Sequence, residues 1–431
     1  MPKLIYSAIL YLLLPFTPIK LLWRGLRQRE YLQHWAERYG FYKTLANTQP
    51  LIWLHCVSVG ETRAAEPLIH ALLKQYPGHQ ILLSHTTPTG RDAGLKLFPE
   101  AQFSRIQRCY LPYDVPGAAK RFLKHHQPQL GLLMETELWF NLIGACSAQN
   151  IPLLLINARL SERSARGYAK TGTLVTQGLN QLSGIAAQTE QDAERIANLM
   201  HKDPQTITLM GNLKFDVTPP GDAAERGRYL RSLLGIKRPI FLAASTREGE
   251  EALILDAIAQ ANIPNLLTVI VPRHPQRFDE VATLLSKRGI SFCRRSEFSM
   301  GTVAGDIPSN TVVLGDSMGE MFMYYVACDI AFIGGSLMPL GGQNLIEACT
   351  MGKAVLIGPH TFNFEDATKQ AIAAGAALRV TDKNDLSEKL ANLMQETDEM
   401  KTMGDAALNF SQKAGGATER AMQIVKKYLP N

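Results

Sequence analysis

Short, largely apolar runs without polar alternation alternate along this chain with longer stretches whose apolar residues recur at helical spacing. The runs 51–57, 80–84, 129–134, 152–156, 183–187 and 206–210 read as strands, with helices between them such as 62–75, 138–149 and 191–200. Strands that lack polar alternation are buried on both faces, which points to parallel sheets covered by crossover helices. A Pro-Pro-Gly break within 218–222 interrupts the pattern and a polar helix follows. Strands then resume at 239–244, 266–271, 311–314, 330–333 and 354–357. The expectation is an α/β chain of two Rossmann-like domains, 31–217 and 239–431, joined by a linker at 218–238, its final helix a candidate to pack back on the first domain. Ligands of such sheets sit beyond the carboxyl ends of the strands, and two such domains facing a cleft are expected to close around it.

The first 30 residues break this pattern. Of the 19 residues from 4 to 22, 14 are apolar, and as a helix they would extend about 28 Å, close to the thickness of a bilayer core. Pro15, Pro18 and Lys20 favour a kinked or interfacial helix over a straight span. No small-residue cleavage site follows, so the segment reads as a retained anchor. Lys20, Arg24, Arg27, Arg29, Arg38 and Lys43 lie within or after it and only Lys3 before it, which places the body on the cytoplasmic side.

Composition narrows the classes. With 46% hydrophobic and 19% charged residues the chain is globular, and its 431 residues exceed one core. The excess of 45 Lys and Arg over 39 Asp and Glu is not gathered into basic patches with interleaved aromatics, so nucleic-acid binding is not indicated. Six scattered cysteines without a C-x-x-C pair argue against a zinc ribbon and for a reducing compartment. No histidine spacing suits a metal, and His125-His126, in a polar helix, reads as solvated. Ser58 lies in S-x-G-E, which is not a nucleophile elbow.

The chemistry lies at the strand ends. Glu61 falls where the first strand meets a helix, and the helix dipole there is expected to hold its carboxylate ionised, fit to act as a base or merely to satisfy the terminus. Glu135 and Glu137 follow the strand ending at Met134, where buried acids are costly unless used or paired; Glu137 reads as the more solvated of the two. Lys214, after the last strand of the first half, is either a cation for a substrate anion or a surface lysine. In the second half Arg273, pinned between Pro272 and Pro275, suits bidentate phosphate binding. Met318, Gly319 and Glu320 lie between strand and helix, where bare N–H groups meet anions. Gly334, Gly335 and Ser336, then 341–343 and a helix starting near Asn344, read as a nucleotide-phosphate cradle, with Glu347 placed to accept from ribose hydroxyls. The spacing fits neither the dinucleotide nor the P-loop pattern.

The strings HCVSVGE, TPTGRD, YLPYD, METELW, INARLSERSARGYAK, GNLKFD, VPRHPQRF, GDSMGE, FIGGSL, GGQNLIEA and GPHTFNF together resemble the 3-deoxy-D-manno-octulosonic acid (Kdo) transferases of lipopolysaccharide assembly. The likeness spans nearly the whole chain. It implies a GT-B-type glycosyltransferase that moves Kdo from CMP-Kdo to the lipid A precursor (lipid IVA) at the cytoplasmic face of the inner membrane, without cofactor or metal. By motif, Glu61 matches the proton acceptor, and Glu135 and Lys214 the transition-state-stabilising pair. Pro272 and Arg273, then Met318, Gly319 and Glu320, then Asn344, Leu345, Ile346 and Glu347 match the CMP-contacting segments. The chain departs from the family's usual pattern at Cys56 and Gln343. Two rivals stay open: a glycosyltransferase using a UDP-sugar, which competition of CMP against UDP would separate, and a nucleotide-binding scaffold, which would need none of Glu61, Glu135 and Lys214.

Overall fold

The computed structural model describes residues 2–43, 49–298, 307–308 and 311–430. The chain forms two compact units. The first comprises Met1–Asp216 with Ala414–Asn431, the second Val217–Lys413.

Among the described residues the first unit holds a parallel sheet of seven strands: β1 (Leu51–His55), β2 (Gln80–His85), β3 (Ile106–Tyr110), β4 (Leu130–Met134), β5 (Leu153–Ala158), β6 (Gly184–Ala187) and β7 (Thr208–Leu209). Their order is β3-β2-β1-β4-β5-β6-β7, so the chain reverses direction across the sheet beside β1 and β4. β1, β4 and β5 are buried at every position, and helices on both faces cover their Leu, Ile and Trp side chains. The second unit repeats the plan with β8 (Ile240–Thr246), β9 (Leu267–Pro272), β10 (Phe292–Arg294), β11 (Val312–Leu314), β12 (Ile330–Ile333), β13 (Ala354–Ile357) and β14 (Ala377–Arg379), ordered β10-β11-β9-β8-β12-β13-β14.

Three strands carry no sequence signal: β3, β10 and β14 are all sheet edges. An edge strand is paired and covered on fewer sides, so it tolerates the half-exposed Gln107, Arg108 and Arg294 that break an apolar run. The strand before Glu135 is therefore the fourth, not the third. The expected helix 62–75 is two helices, Val59–Ala64 and Glu66–Gln75, because Pro67 in the first turn of the second cannot extend the helix before it. His125-His126 is also corrected. His126 is buried against Tyr42 and Phe122, and burial lowers its pKa to about 3, so it is neutral.

Residues 223–234 form helix Ala223–Leu234 within the second unit, packed on helix Met321–Ala327. The last helix, Ala417–Tyr428, belongs to the first unit. It packs on Glu66–Gln75, and the Leu429 carbonyl accepts from Tyr76 Oη at 2.7 Å.

Candidate active site

In the first unit, the turn after β1 is built around a carboxylate. Ser58 caps helix Val59–Ala64, accepting from the Glu61 N–H, and its hydroxyl donates to Glu61 Oε1 at 3.0 Å. Glu61 Oε2 accepts from the Val57 N–H at 2.8 Å. Around this turn Thr87 Oγ1 donates to the Val57 carbonyl at 2.9 Å and caps helix Pro88–Leu97. Gly90 lets that helix approach, since a Cβ there would lie 2.8 Å from the same carbonyl. Two buried histidines brace the strand ends below: His55 Nδ1 lies 2.8 Å from Ser84 Oγ, and His85 Nδ1 2.9 Å from the Cys56 carbonyl. Burial lowers their pKa to about 3 and about 4, so both are neutral struts.

The helix terminus does not keep Glu61 in the ordinary carboxylate range. Burial dominates, the hydrogen bonds from Val57 and Ser58 oppose it, and Glu135 and Glu137 add like charge, which together raise the Glu61 pKa to about 7. Burial is the largest of these effects, and it is why the turn's donors do not win. Glu135 leaves β4 with φ 57, a left-handed conformation that turns the chain sharply at the strand end. Its Oε1 lies 3.7 Å from Lys214 Nζ. Lys214 sits on a short turn, Leu213–Phe215, held by side chains: Asn157 Oδ1 accepts from the Leu213 N–H and Asn212 Oδ1 from the Lys214 N–H, both at 3.0 Å. That turn packs on helix Val59–Ala64. Glu61, Glu135 and Lys214, 153 positions apart at the extremes, thus share one region. Glu137 is not solvated as expected; burial, with Glu135 adding like charge, raises its pKa.

In the second unit, the cradle reading needs correction. The Gly335 N–H donates to Glu250, as do Leu337 N–H and Arg247 N–H, both at 2.9 Å. Glu250 is fully buried. One of the amides expected to hold a phosphate, that of Gly335, therefore holds an internal carboxylate, while those of Gly334, Gly342 and Gln343 donate to backbone carbonyls, and the loop is shaped from within. Gly334 is needed because a Cβ there would lie 2.5 Å from the Ser245 carbonyl. Glu251, next to Glu250, accepts from Thr246 Oγ1 at 2.7 Å and from both terminal nitrogens of Arg277 at 2.5 and 3.1 Å. Ser336 is buried, its hydroxyl donating to the Ile333 carbonyl and accepting from the Gly358 N–H.

What remains open to a ligand is the rim. Pro272 ends β9, and the Arg273 N–H is fixed on the Thr246 carbonyl at 3.0 Å. Arg273 Nε donates to Gln343 Oε1 at 3.2 Å, and the Gln343 N–H donates to the Gly334 carbonyl at 3.0 Å. The helix expected from Asn344 begins at Ile346 and has one turn, Ile346–Thr350, after Leu345. Asn344 Oδ1 accepts from the Ile346 N–H at 3.0 Å, and Asn344 Nδ2 donates to Glu347 Oε1 at 3.4 Å. The structure joins Arg273 to the 341–347 loop. Gly319 has φ 75, Met318 is exposed, and Glu320 is tied to Arg226, Arg295 and Ser317. Sequence reasoning missed Glu250 and Glu251; two adjacent acids in the first turn of a helix after an apolar strand were the available signal.

The family model described as 3-deoxy-D-manno-octulosonic-acid transferase (kdotransferase) matches residues 33–217. The 3-deoxy-D-manno-octulosonic acid transferase of Bordetella pertussis is 44% identical over 384 residues, 88% of this chain and 87% of that one. The Haemophilus influenzae protein of the same name is 38% identical over 427 residues, 97% of each chain. A UDP-GlcNAc 2-epimerase from Neisseria meningitidis superposes with a TM-score of 0.56 over 88% of this chain and 100% of its own. At 15% identity that is a likeness of fold alone, the GT-B plan of two Rossmann-like units.

Proposed function

The chain belongs to the 3-deoxy-D-manno-octulosonic acid (Kdo) transferase family and is a glycosyltransferase of lipopolysaccharide biosynthesis; from that premise we propose that it moves Kdo from CMP-Kdo to lipid IVA and releases CMP. The observation that carries this reading is the Glu61 turn. A carboxylate with a pKa of about 7 is poised at neutral pH to accept a proton. In the proposed step the acceptor sugar hydroxyl gives its proton to Glu61 as its oxygen attacks the anomeric carbon of Kdo. The bond from that carbon to the phosphate oxygen breaks and CMP leaves with the electron pair. One base and one displacement suffice, so the anomeric centre inverts. Lys214, paired with Glu135, supplies a cation held in place for the charge that develops. Pro272, Arg273, Met318, Gly319, Glu320, Asn344, Leu345, Ile346 and Glu347 are assigned to CMP, with Gly334, Gly335 and Ser336 shaping the loop beneath it. The Arg273 guanidinium neutralises the departing phosphate, a task for which no metal is invoked.

The amino-terminal segment supports membrane attachment. Lys3–Arg27 is long and apolar enough to cross a bilayer, yet its polar edge is fastened to the first unit. Tyr6 Oη donates to the buried Asp114 at 2.9 Å, Ser7 Oγ to Asn141 at 2.8 Å, Gly117 N–H to Tyr11 Oη at 3.1 Å, and Thr17 Oγ1 meets Tyr39 Oη at 2.8 Å. Leu4, Leu12, Phe16, Trp23 and Leu26 face outward. A helix tied sideways to a globular unit suits an in-plane position in the inner-membrane surface, on its cytoplasmic side.

Mass spectrometry of a tetra-acylated lipid A precursor after incubation with purified protein and freshly generated CMP-Kdo tests the reaction. Mass gains in Kdo units are expected, and no gain from folded protein with intact donor would overturn the reading.

A further inference from the structure

The loop after β8 carries a cation that the assignments above leave without a role. β8 shifts its register with β9 between Ala244 and Thr246, and Ser245 at the shift has φ 55, a conformation non-glycine residues rarely adopt. The kink lays Arg247 over Gly335. A Cβ built on Gly335 would lie 3.4 Å from Arg247 Cγ and 3.2 Å from Gln343 Nε2. Gln343 is the residue that receives Arg273. Arg247 and Arg273 therefore flank one floor made of Gly335 and Gln343, with the exposed His274 beside both guanidinium groups.

Arg247 and Arg277 are used in opposite ways. Arg277 is spent on structure: both terminal nitrogens meet the buried Glu251, and Nε meets Glu280 at 3.2 Å. Arg247 is fixed at the other end. Its backbone N–H is held by Glu250, and the preceding Thr246 by Glu251. Its head group makes one contact, Nε to Glu248 Oε2 at 3.1 Å, and the Glu248 side chain is 56% exposed. Among the described residues neither terminal nitrogen of Arg247 meets an acceptor, and the side chain remains 26% exposed. Backbone anchored on buried carboxylates and fork presented at the rim is the arrangement of a binding arginine, since a structural one has its fork consumed.

We propose that Arg247 is a second cation of the donor site and that it takes the carboxylate of the acidic sugar, leaving Arg273 for the phosphate. The inference rests on the CMP-Kdo reading, whose donor brings two anions a few bonds apart. One guanidinium pairs bidentately with one of them, so two forks over a shared floor match the donor's charges in number. Glu250 and Glu251 are then positioning residues, holding the loop that carries the fork.

The test separates CMP from CMP-Kdo. With the full-length protein, Arg247→Gln is expected to bind CMP within about twofold of the unaltered protein by calorimetry, while KM for CMP-Kdo rises about 10- to 100-fold. Arg247→Lys, which keeps the charge and the loop anchors, should fall between the two and covers the case in which the glutamine variant folds poorly. An unchanged KM for CMP-Kdo in both variants would overturn the assignment, as would a loss of CMP affinity equal to the rise in KM. If the unaltered protein transfers no Kdo at all, the functional reading and this inference fall together. If it does transfer and the variants match it, only this inference falls.

Discussion

Each unit of the molecule places buried acid in the first turn of a helix that follows a central strand, Glu61 alone in the first unit and Glu250 with Glu251 in the second, and the two sets do different work. Glu250 and Glu251 are engaged on every side, by three backbone N–H groups in one case and by Thr246 and Arg277 in the other. Glu61 has two donors, both from its own turn, and two acids for neighbours. Burial is common to both sets. It raises the pKa of Glu250 as it does that of Glu61, so what separates them is the number of donors and what those donors belong to. Glu250 ties three amides of two loops together and fixes them, whereas Glu61 is held only by its own turn and is left at the site to exchange a proton.

The largest expected effect tests the acid held only by its own turn. Glu61→Gln keeps the turn's shape and one acceptor oxygen but removes the base, and transfer should fall about 10³-fold or more, within the range for a lost general base. CMP affinity should not change. The fold should become more robust at alkaline pH. A carboxylate whose folded pKa lies above its value in the unfolded chain stabilises the protein below the unfolded value, and that stabilisation is lost as pH rises through about 7. The glutamine variant has nothing to lose there, so thermal unfolding at pH 8 should show it more stable than the parent. A glutamine variant that supports full transfer would remove Glu61 from the mechanism.

Glu250→Ala should behave oppositely. Two buried N–H groups and one half-buried one lose their acceptor, which costs roughly 3 kcal/mol, or a drop of about 10 °C in Tm for a unit of this size. Donor KM should rise with the loss of stability. If Glu250→Ala unfolds normally yet loses activity as steeply as Glu61→Gln, the distinction drawn between the two carboxylate sets fails.

Much of this was visible in the chain before folding was considered. Central strands such as β4 and β12 are apolar throughout, and β1 is so up to His55, because both faces are covered. Edge strands β3, β10 and β14 are not covered that way, so their residues read as loop. The site was legible in its residues and not in its charges. Glu61, Glu135 and Lys214 are recognisable by position after a strand, but the Glu61 pKa is set first by burial in the folded unit, then by its turn's donors and by acids 74 and 76 positions away. The glycines of 334–335 suggested a phosphate cradle because glycine exposes amides. That a glutamate 85 residues earlier already occupies one of those amides is a tertiary fact.

The wild-type pH profile sharpens the comparison with a smaller effect. If Glu61 is the base, kcat/KM should rise tenfold per pH unit on the acid side and level off above about 7. A plateau reached near pH 5 would mean that burial and the acids around Glu61 do not raise its pKa.

Glu137→Gln gives the smallest and most selective test. Glu137 raises the Glu61 pKa through its charge, but it ranks behind burial and behind Glu135 in doing so. It is therefore expected to move the acid limb of the profile to lower pH, by less than Glu135→Gln does. The plateau rate should be nearly retained, because no proposed step passes through Glu137. Glu135→Gln, in contrast, should shift the limb further and lower the plateau, since it also strips Lys214 of its partner. The pair separates field from chemistry: a shifted limb with an intact plateau belongs to an acid that only tunes Glu61, and a lowered plateau to one that acts on the reacting groups. Should Glu137→Gln leave the limb in place and depress the plateau instead, Glu137 would join the acids that touch substrate, and the ranking of the three carboxylates in this unit would have to be reversed.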